Sequence, residues 1–224
     1  MFDQSGLDIR KYRPDPDRAS SGVIEAFVQH LEERVGERVT DLRGAIAAEQ
    51  AEIEHAHRDL VVDEPAHYNL RMVAAVLAAR RILSRTMSGQ ALLSLLEEAF
   101  TGPYASLIRS GTRTWLDAES DPFRAMVALV RTREREDFGK GFTLERERDD
   151  DAAYLLNVRR CFYHDVFAAE GAAELTPIFC AFDRSWIDGI DPDRHGFRFE
   201  RPTTIGLGGS ICPFHFRRVG DPPR

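Results

Sequence analysis

The residues best suited to chemistry are three cysteines, Cys161, Cys180 and Cys212, all in the last third of a 224-residue chain. Cys161 and His164 stand three apart at the start of an expected helix and so share a face. A thiol at a helix N-terminus ionises readily, and a neighbouring imidazole can take its proton. A buried cysteine beside an ordinary histidine fits the same spacing. Cys180 and Asp183 lie one turn apart in "LTPIFCAFDRSWIDGI", residues 175–190. At about 100° per residue, Phe179, Phe182, Trp186, Ile187 and Ile190 form one apolar side, and Ala181, Arg184, Ser185 and Asp188 face solvent. Asp183 falls inside the apolar arc. An unpaired carboxylate there is costly, so it needs a partner: an arginine such as Arg201, backbone N–H groups, or a ligand.

Cys212 lies in "SICPFHF". On a strand, Cys212, Phe214 and Phe216 share one face while Pro213 and His215 point away, so Cys212 and His215 form no dyad without a bulge. Pro213 itself suits an edge strand or a bulge. The preceding "GLGGS" places Gly208 and Gly209 in a hairpin turn or beside a ligand, but follows no βαβ pattern. A metal reading joins Cys161, Cys180, Asp183 and Cys212 as a thiolate–carboxylate site for zinc or iron, without a CxxC knuckle. The overlapping pairs Glu52–His55 and Glu54–His57 lack the second motif that a di-metal bundle needs, and read as exposed helix residues.

These residues must be held by elements that the sequence also predicts. Residues 1–19, with "RPDPD", read as an extended arm. A long amphipathic helix is expected from Gly22 to Leu60, with Gly36 and Gly44 as points of weakness. A second helix runs from Ala66 to Thr86. A third, capped by Ser88, ends at "TGP" (101–103), and a fourth spans Tyr104 to Leu116. Asp121 and Pro122 open a fifth that ends near Gly139. From Gly141 the pattern alternates: two strands around "DDD" (149–151), a helix ending at Gly171, a helix capped by Thr176 with Pro177 at its first position, then two strands joined around Gly208-Gly209. The fold class is α+β, a helical N-terminal part (20–140) packed on a small, mostly antiparallel sheet with β-β-α-α-β-β order (141–218), followed by a short tail (219–224), all in one integrated domain.

Composition sets the broad class. The formal charge is -7, which argues against nucleic acid as partner. "MVAAVLAA" (72–79) is too short to span a bilayer, and the first residues have no apolar signal core. An odd number of cysteines outside a secretory context suits free thiols. The expectation is a cytoplasmic protein with no membrane association. The long first helix fits a homo-oligomer or an intramolecular bundle equally.

Read in order, "NVRRCFYHDVF", "ELTPIFCAFD" and "FRFERPTTIGLGGSICPFHF" resemble the L-2-amino-thiazoline-4-carboxylic acid hydrolase family over residues 141–218. The matching positions are Cys161, Cys180, Asp183, Arg201, Thr204, Gly208, Gly209, Cys212 and Phe214. An acidic residue is expected after the last cysteine, where this chain has Pro213. The resemblance implies hydrolytic opening of a thiazoline-like ring to an N-carbamoyl-cysteine product. A cysteine, with Cys180 and Cys212 leading, or water deprotonated by Asp183, would attack the amidine-like ring carbon. Arg201 would hold the substrate carboxylate. Thr204, His164 and the Gly208–Gly209 amides would complete the site, with the glycine amides steadying developing charge. The expectation is a small-molecule hydrolase with no cofactor. A Cys/Asp metal protein and a non-catalytic small-molecule binder are the alternatives.

Overall fold

A computed structural model describes residues 15–36, 39–87 and 89–220. Its helical part is built around α3 (Glu64–Leu83), whose stretch Val73–Ala79 is at most 1% exposed. That explains the unbroken run of small and apolar residues: the helix is covered on every side and has no wet face to pattern. Asp63 caps it, accepting from the Ala66 amide at 2.9 Å, and Pro65 sits in its first turn. Around α3 lie α1 (Pro16–Val35), α2 (Leu42–Ala56) and α4 (Gln90–Asp117).

Three helix expectations need correction. The arm does not extend to residue 19, because Asp15 accepts from the Arg18 amide and starts α1 at Pro16; residues 1–14 lie outside the described residues. The expected Gly22–Leu60 helix is two helices, ended at Gly36 with φ 59° and restarted at Asp41. Gly44 does not break α2 but permits its start: a Cβ there would meet the Asp41 carboxylate at 2.3 Å, where that carboxylate caps the helix. Finally, "TGP" stops nothing. Pro103 sits inside the continuous α4, exposed, so its ring displaces no packing. The expected cap Ser88 lies outside the described residues.

The paired histidines at the end of α2, with His57 as its C-cap, are only partly as expected. His55 is exposed, but His57 is partly buried and meets Glu170 at 2.5 Å. Helix α5 (Pro122–Arg133) is capped by Asp121 and passes into a π turn, Glu134–Phe138, that ends at Gly139.

The remainder keeps the expected succession of hairpin, helices and two strands, with three differences. The second expected helix is broken in two, a short helix at Pro192–His195 is added, and the third strand ends at Glu200 instead of running to Leu207. Strands β1 (Thr143–Asp149) and β2 (Ala153–Arg160) form a hairpin. Helices α6 (Phe162–Ala169), α7 (Thr176–Phe182), α8 (Arg184–Ile187) and α9 (Pro192–His195) follow, then β3 (Phe197–Glu200) and β4 (Cys212–Arg218). The sheet is fully antiparallel in the order β1-β2-β4-β3. The architecture is α+β, with helices first and strands last. Pro213 pairs opposite Asn157 of β2, but β3 reaches only to His215, so this end of β4 is open on its other edge. A proline without an N–H is tolerated there.

Two apolar cores result. One fills the helical part and includes Phe100, Phe142, Cys161 and Phe179. The other lies between α5, the end of α4 and one face of the sheet, and includes Met126, Val130, Leu156 and Phe216. No helix among the described residues is long and apolar enough to cross a membrane.

Candidate active site

A cavity of about 280 Å³ lies on the seam between the two cores and draws its walls from both. The sheet supplies Leu144, Leu156, Val158 and Phe214, and α5 supplies Met126, Leu129 and Val130. Helices α7 and α8 add Phe179, Phe182 and Trp186. Into this apolar shell project Cys161, Cys180, Cys212, Asp183 and Arg201, all five from the sequence-predicted set.

Asp183 links α7 and α8, where the predicted helix breaks. Its carboxylate accepts from Arg201 Nη1 at 2.7 Å and from the Trp186 indole at 3.3 Å. The second guanidinium arm, Nη2, donates to the Cys180 carbonyl at 2.8 Å, and the guanidinium lies 5.1 Å from the Phe214 ring centroid. The carboxylate in the apolar arc is therefore one half of a salt bridge that fixes the α7–α8 junction to the segment after β3. Two details of the expected helix change. Thr176 is its first residue rather than its cap, and its hydroxyl instead meets His164 Nδ1 at 3.1 Å. Ser185 is buried, not wet, because α8 packs against α4.

The thiols differ in setting. Cys161 closes the end of β2 and burial pushes its thiol up to about 12, against the pull of the His164 and Tyr163 amides. The expected thiolate at the start of α6 is thus not favoured, and His164 serves Thr176. Cys212 is pushed up to about 11 by burial, with the Ile205 amide donating to its sulfur at 3.0 Å. Cys180 is the least buried of the three. Burial raises it as well, while the Thr204 hydroxyl, 3.3 Å from its sulfur, and the Gly206 amide oppose the rise.

The turn after β3 is therefore the electrostatic floor of the site, but not through the expected glycines. The Gly208 and Gly209 amides donate to the carbonyls of Ile205 and Thr204, at 3.0 and 2.9 Å, so neither is free to steady a charge. They shape the turn; Ile205 and Gly206 deliver the amides. Gly206 has no tolerance for a side chain: a Cβ would stand 2.8 Å from Thr176 Cγ2 and 3.1 Å from the Cys180 sulfur. Sequence reasoning passed over Gly206, although it is a glycine within the quoted motif. It also passed over Thr176 as a wall residue, Tyr163 and Arg133. Tyr163 donates to Asn69 of α3 at 2.9 Å, and burial raises its hydroxyl well above the usual range.

Among the described residues, no group of three or more His, Cys, Asp or Glu is placed to hold a metal ion. Cys161, Cys180, Asp183 and Cys212 share the cavity, but Asp183 is turned onto Arg201 and Trp186.

A thiol-lined apolar pocket with one internal carboxylate–guanidinium pair, in an α+β frame, has the general make-up of a small-molecule site. The family model for L-2-amino-thiazoline-4-carboxylic acid hydrolase matches residues 68–216, and the chain belongs to that family. The match reaches back through α4 and α5 into α3, well beyond residue 141 where the motifs begin. No curated protein and no solved structure is significantly similar to this chain.

Proposed function

We propose that this protein is a hydrolase that opens a small carboxylated thiazoline-like ring, with Cys180 as nucleophile and Asp183 as the base for water. The supporting observation is the placement of the Cys180 sulfur. It faces the cavity, meets the Thr204 hydroxyl and the Gly206 amide, and stands one turn from the Asp183–Arg201 pair.

The electrophile is the ring carbon between nitrogen and sulfur. The Cys180 sulfur bonds to it while the thiol proton passes to the ring nitrogen. The ring C–S bond then breaks, and the departing sulfur takes a proton to become a free thiol. This leaves an isothiourea joined to Cys180. Water attacks that carbon with its proton moving to Asp183, which hands it to the Cys180 sulfur as the enzyme C–S bond breaks. One water is consumed, and the product carries a carbamoyl group and a thiol. The elevated thiols support a second route, in which water deprotonated by Asp183 attacks the ring directly.

The test is thiol release from 2-aminothiazoline-4-carboxylate, with acid-quenched intact mass to trap the adduct. The covalent route predicts no turnover in Cys180→Ala and an accumulated adduct in Asp183→Asn. Turnover that survives in Cys180→Ala but fails in Asp183→Asn supports direct water attack. Activity in both variants, or no thiol release by the parent chain from this ring or from derivatives substituted on it, rejects the reading. Metal content of the as-purified protein, with and without chelator, tests the zinc or iron alternative.

A further inference from the structure

The hydrolase reading needs a holder for the substrate carboxylate, and Arg201 is already committed to Asp183 and the Cys180 carbonyl. The cavity wall contains a second cation, Arg133, the last residue of α5. Its Nε is shut away from solvent and makes no hydrogen bond. The Asp137 carboxylate comes within 3.1 Å but off the N–H direction. The chain enters its π turn at Glu134, the residue after Arg133. The turn is held rigidly: buried Glu134 accepts from Arg146 at 2.6 Å and from the Tyr154 hydroxyl, and Asn69 donates to the Asp137 carbonyl at 2.8 Å. Nε is thus covered and paired with Asp137, whereas the two Nη groups have no hydrogen bond among the described residues and are the arms that an anion entering the cavity would meet.

The rest of the lining says what else that anion carries. Away from the thiols and charges the wall is mainly apolar, and the volume is close to the lower bound, about 300 Å³, of pockets that enclose drug-sized ligands. A bare aminothiazoline carboxylate is small and polar and would leave most of this wall uncovered.

We propose that Arg133 holds the substrate carboxylate and that the substrate is an amphipathic acid, its reacting ring bearing an apolar group of about phenyl size. Only the identity of the reacting ring rests on the hydrolase reading; the carboxylate holder and the apolar group follow from the cavity.

Three probes separate the possibilities: 2-aminothiazoline-4-carboxylate, its 5-phenyl derivative, and the methyl ester of that derivative. Binding to the full chain is read by quenching of Trp186, which lines the cavity, and by melting temperature. The 5-phenyl acid is expected to bind about tenfold or more tighter than either other probe, from phenyl burial and the charged hydrogen bonds. In Arg133→Gln the advantage of acid over ester should vanish, and in Arg133→Lys part should return. The Arg133 side chain is about a third exposed (36%), so these variants are expected to fold, and the comparison of probes on the parent chain needs no variant. Equal binding of the bare and phenyl acids overturns the apolar substrate. An unchanged acid-to-ester ratio in Arg133→Gln overturns the holder. Thiol release is scored separately. Arg133-dependent binding without thiol release from any probe rejects the hydrolase and retains the ligand class. Rapid release from the bare ring, indifferent to Arg133→Gln, does the reverse.

Discussion

At the residue scale, burial governs the thiols. Cys161 is 9% exposed, and its thiol stays protonated to about pH 12, whereas an unfolded chain ionises it near 9. Between these values the unfolded state binds fewer protons than the folded one, so stability is complete below pH 9 and falls as pH rises. The slope from this one group is about 1.4 kcal/mol per pH unit. Urea melts from pH 8 to 11 should show this alkaline loss, reduced in Cys161→Ala. At neutral pH, alkylation should label Cys180 first, the least buried thiol, and slowly. The Asp183–Arg201 pair behaves as a unit. Asp183→Asn leaves a largely buried guanidinium without its counter-charge, a cost of about 1–3 kcal/mol after allowance for partial exposure of the carboxylate. Arg201→Met should cost a similar amount, and the double variant less than the sum of the two, as a denaturation cycle would show.

At the element scale, a short turn does what the site needs. Gly206→Ala would push Thr176 and the Cys180 sulfur away from the Ile205–Leu207 turn. The expected outcome is a large loss of turnover with most of the melting temperature retained, since the turn is partly exposed and only Ile205 of it packs against a core. Helix α4 carries the opposite kind of defect. Pro103 removes one N–H from an exposed stretch and Gly102 loosens it further. Pro103→Ala should stabilise the fold by about 1–3 kcal/mol, raising the calorimetric midpoint by several degrees.

At the scale of the whole molecule, α3 joins everything. It packs against α1, α2, α4 and α6, and Asn69 on it ties the π turn to Tyr163. The family match opens at residue 68, inside α3. A chain cut to residues 62–220 would still expose the face of α3 that α1 and α2 cover with Leu31, Ile46 and Ile53. It is expected to lose cooperative melting by circular dichroism, while the full chain unfolds in one calorimetric transition.

The sequence by itself determined the fifth helix, the hairpin, the first helix after it and the last strand, because caps, alternation and turn residues act over a few neighbours; it did not show the π turn, the break at Asp183, α9 or the early end of β3. It also determined Asp183's need for a partner, since a carboxylate on an apolar face is legible from period alone. Cys161, Cys180, Cys212, Asp183 and Arg201 were legible as a set and do line one cavity. Other features depended on distance in space. Whether Pro103 ends a helix is decided by what the exposed flank of α4 must pack against, which is nothing. Whether Gly206 or Gly208 serves the thiols depends on how the turn docks on α7. Arg133 carried no motif, and only the meeting of α5, the π turn and the sheet places it in the cavity wall. Local chemistry sets which residues must be satisfied; the packing of two cores across one seam decides by whom.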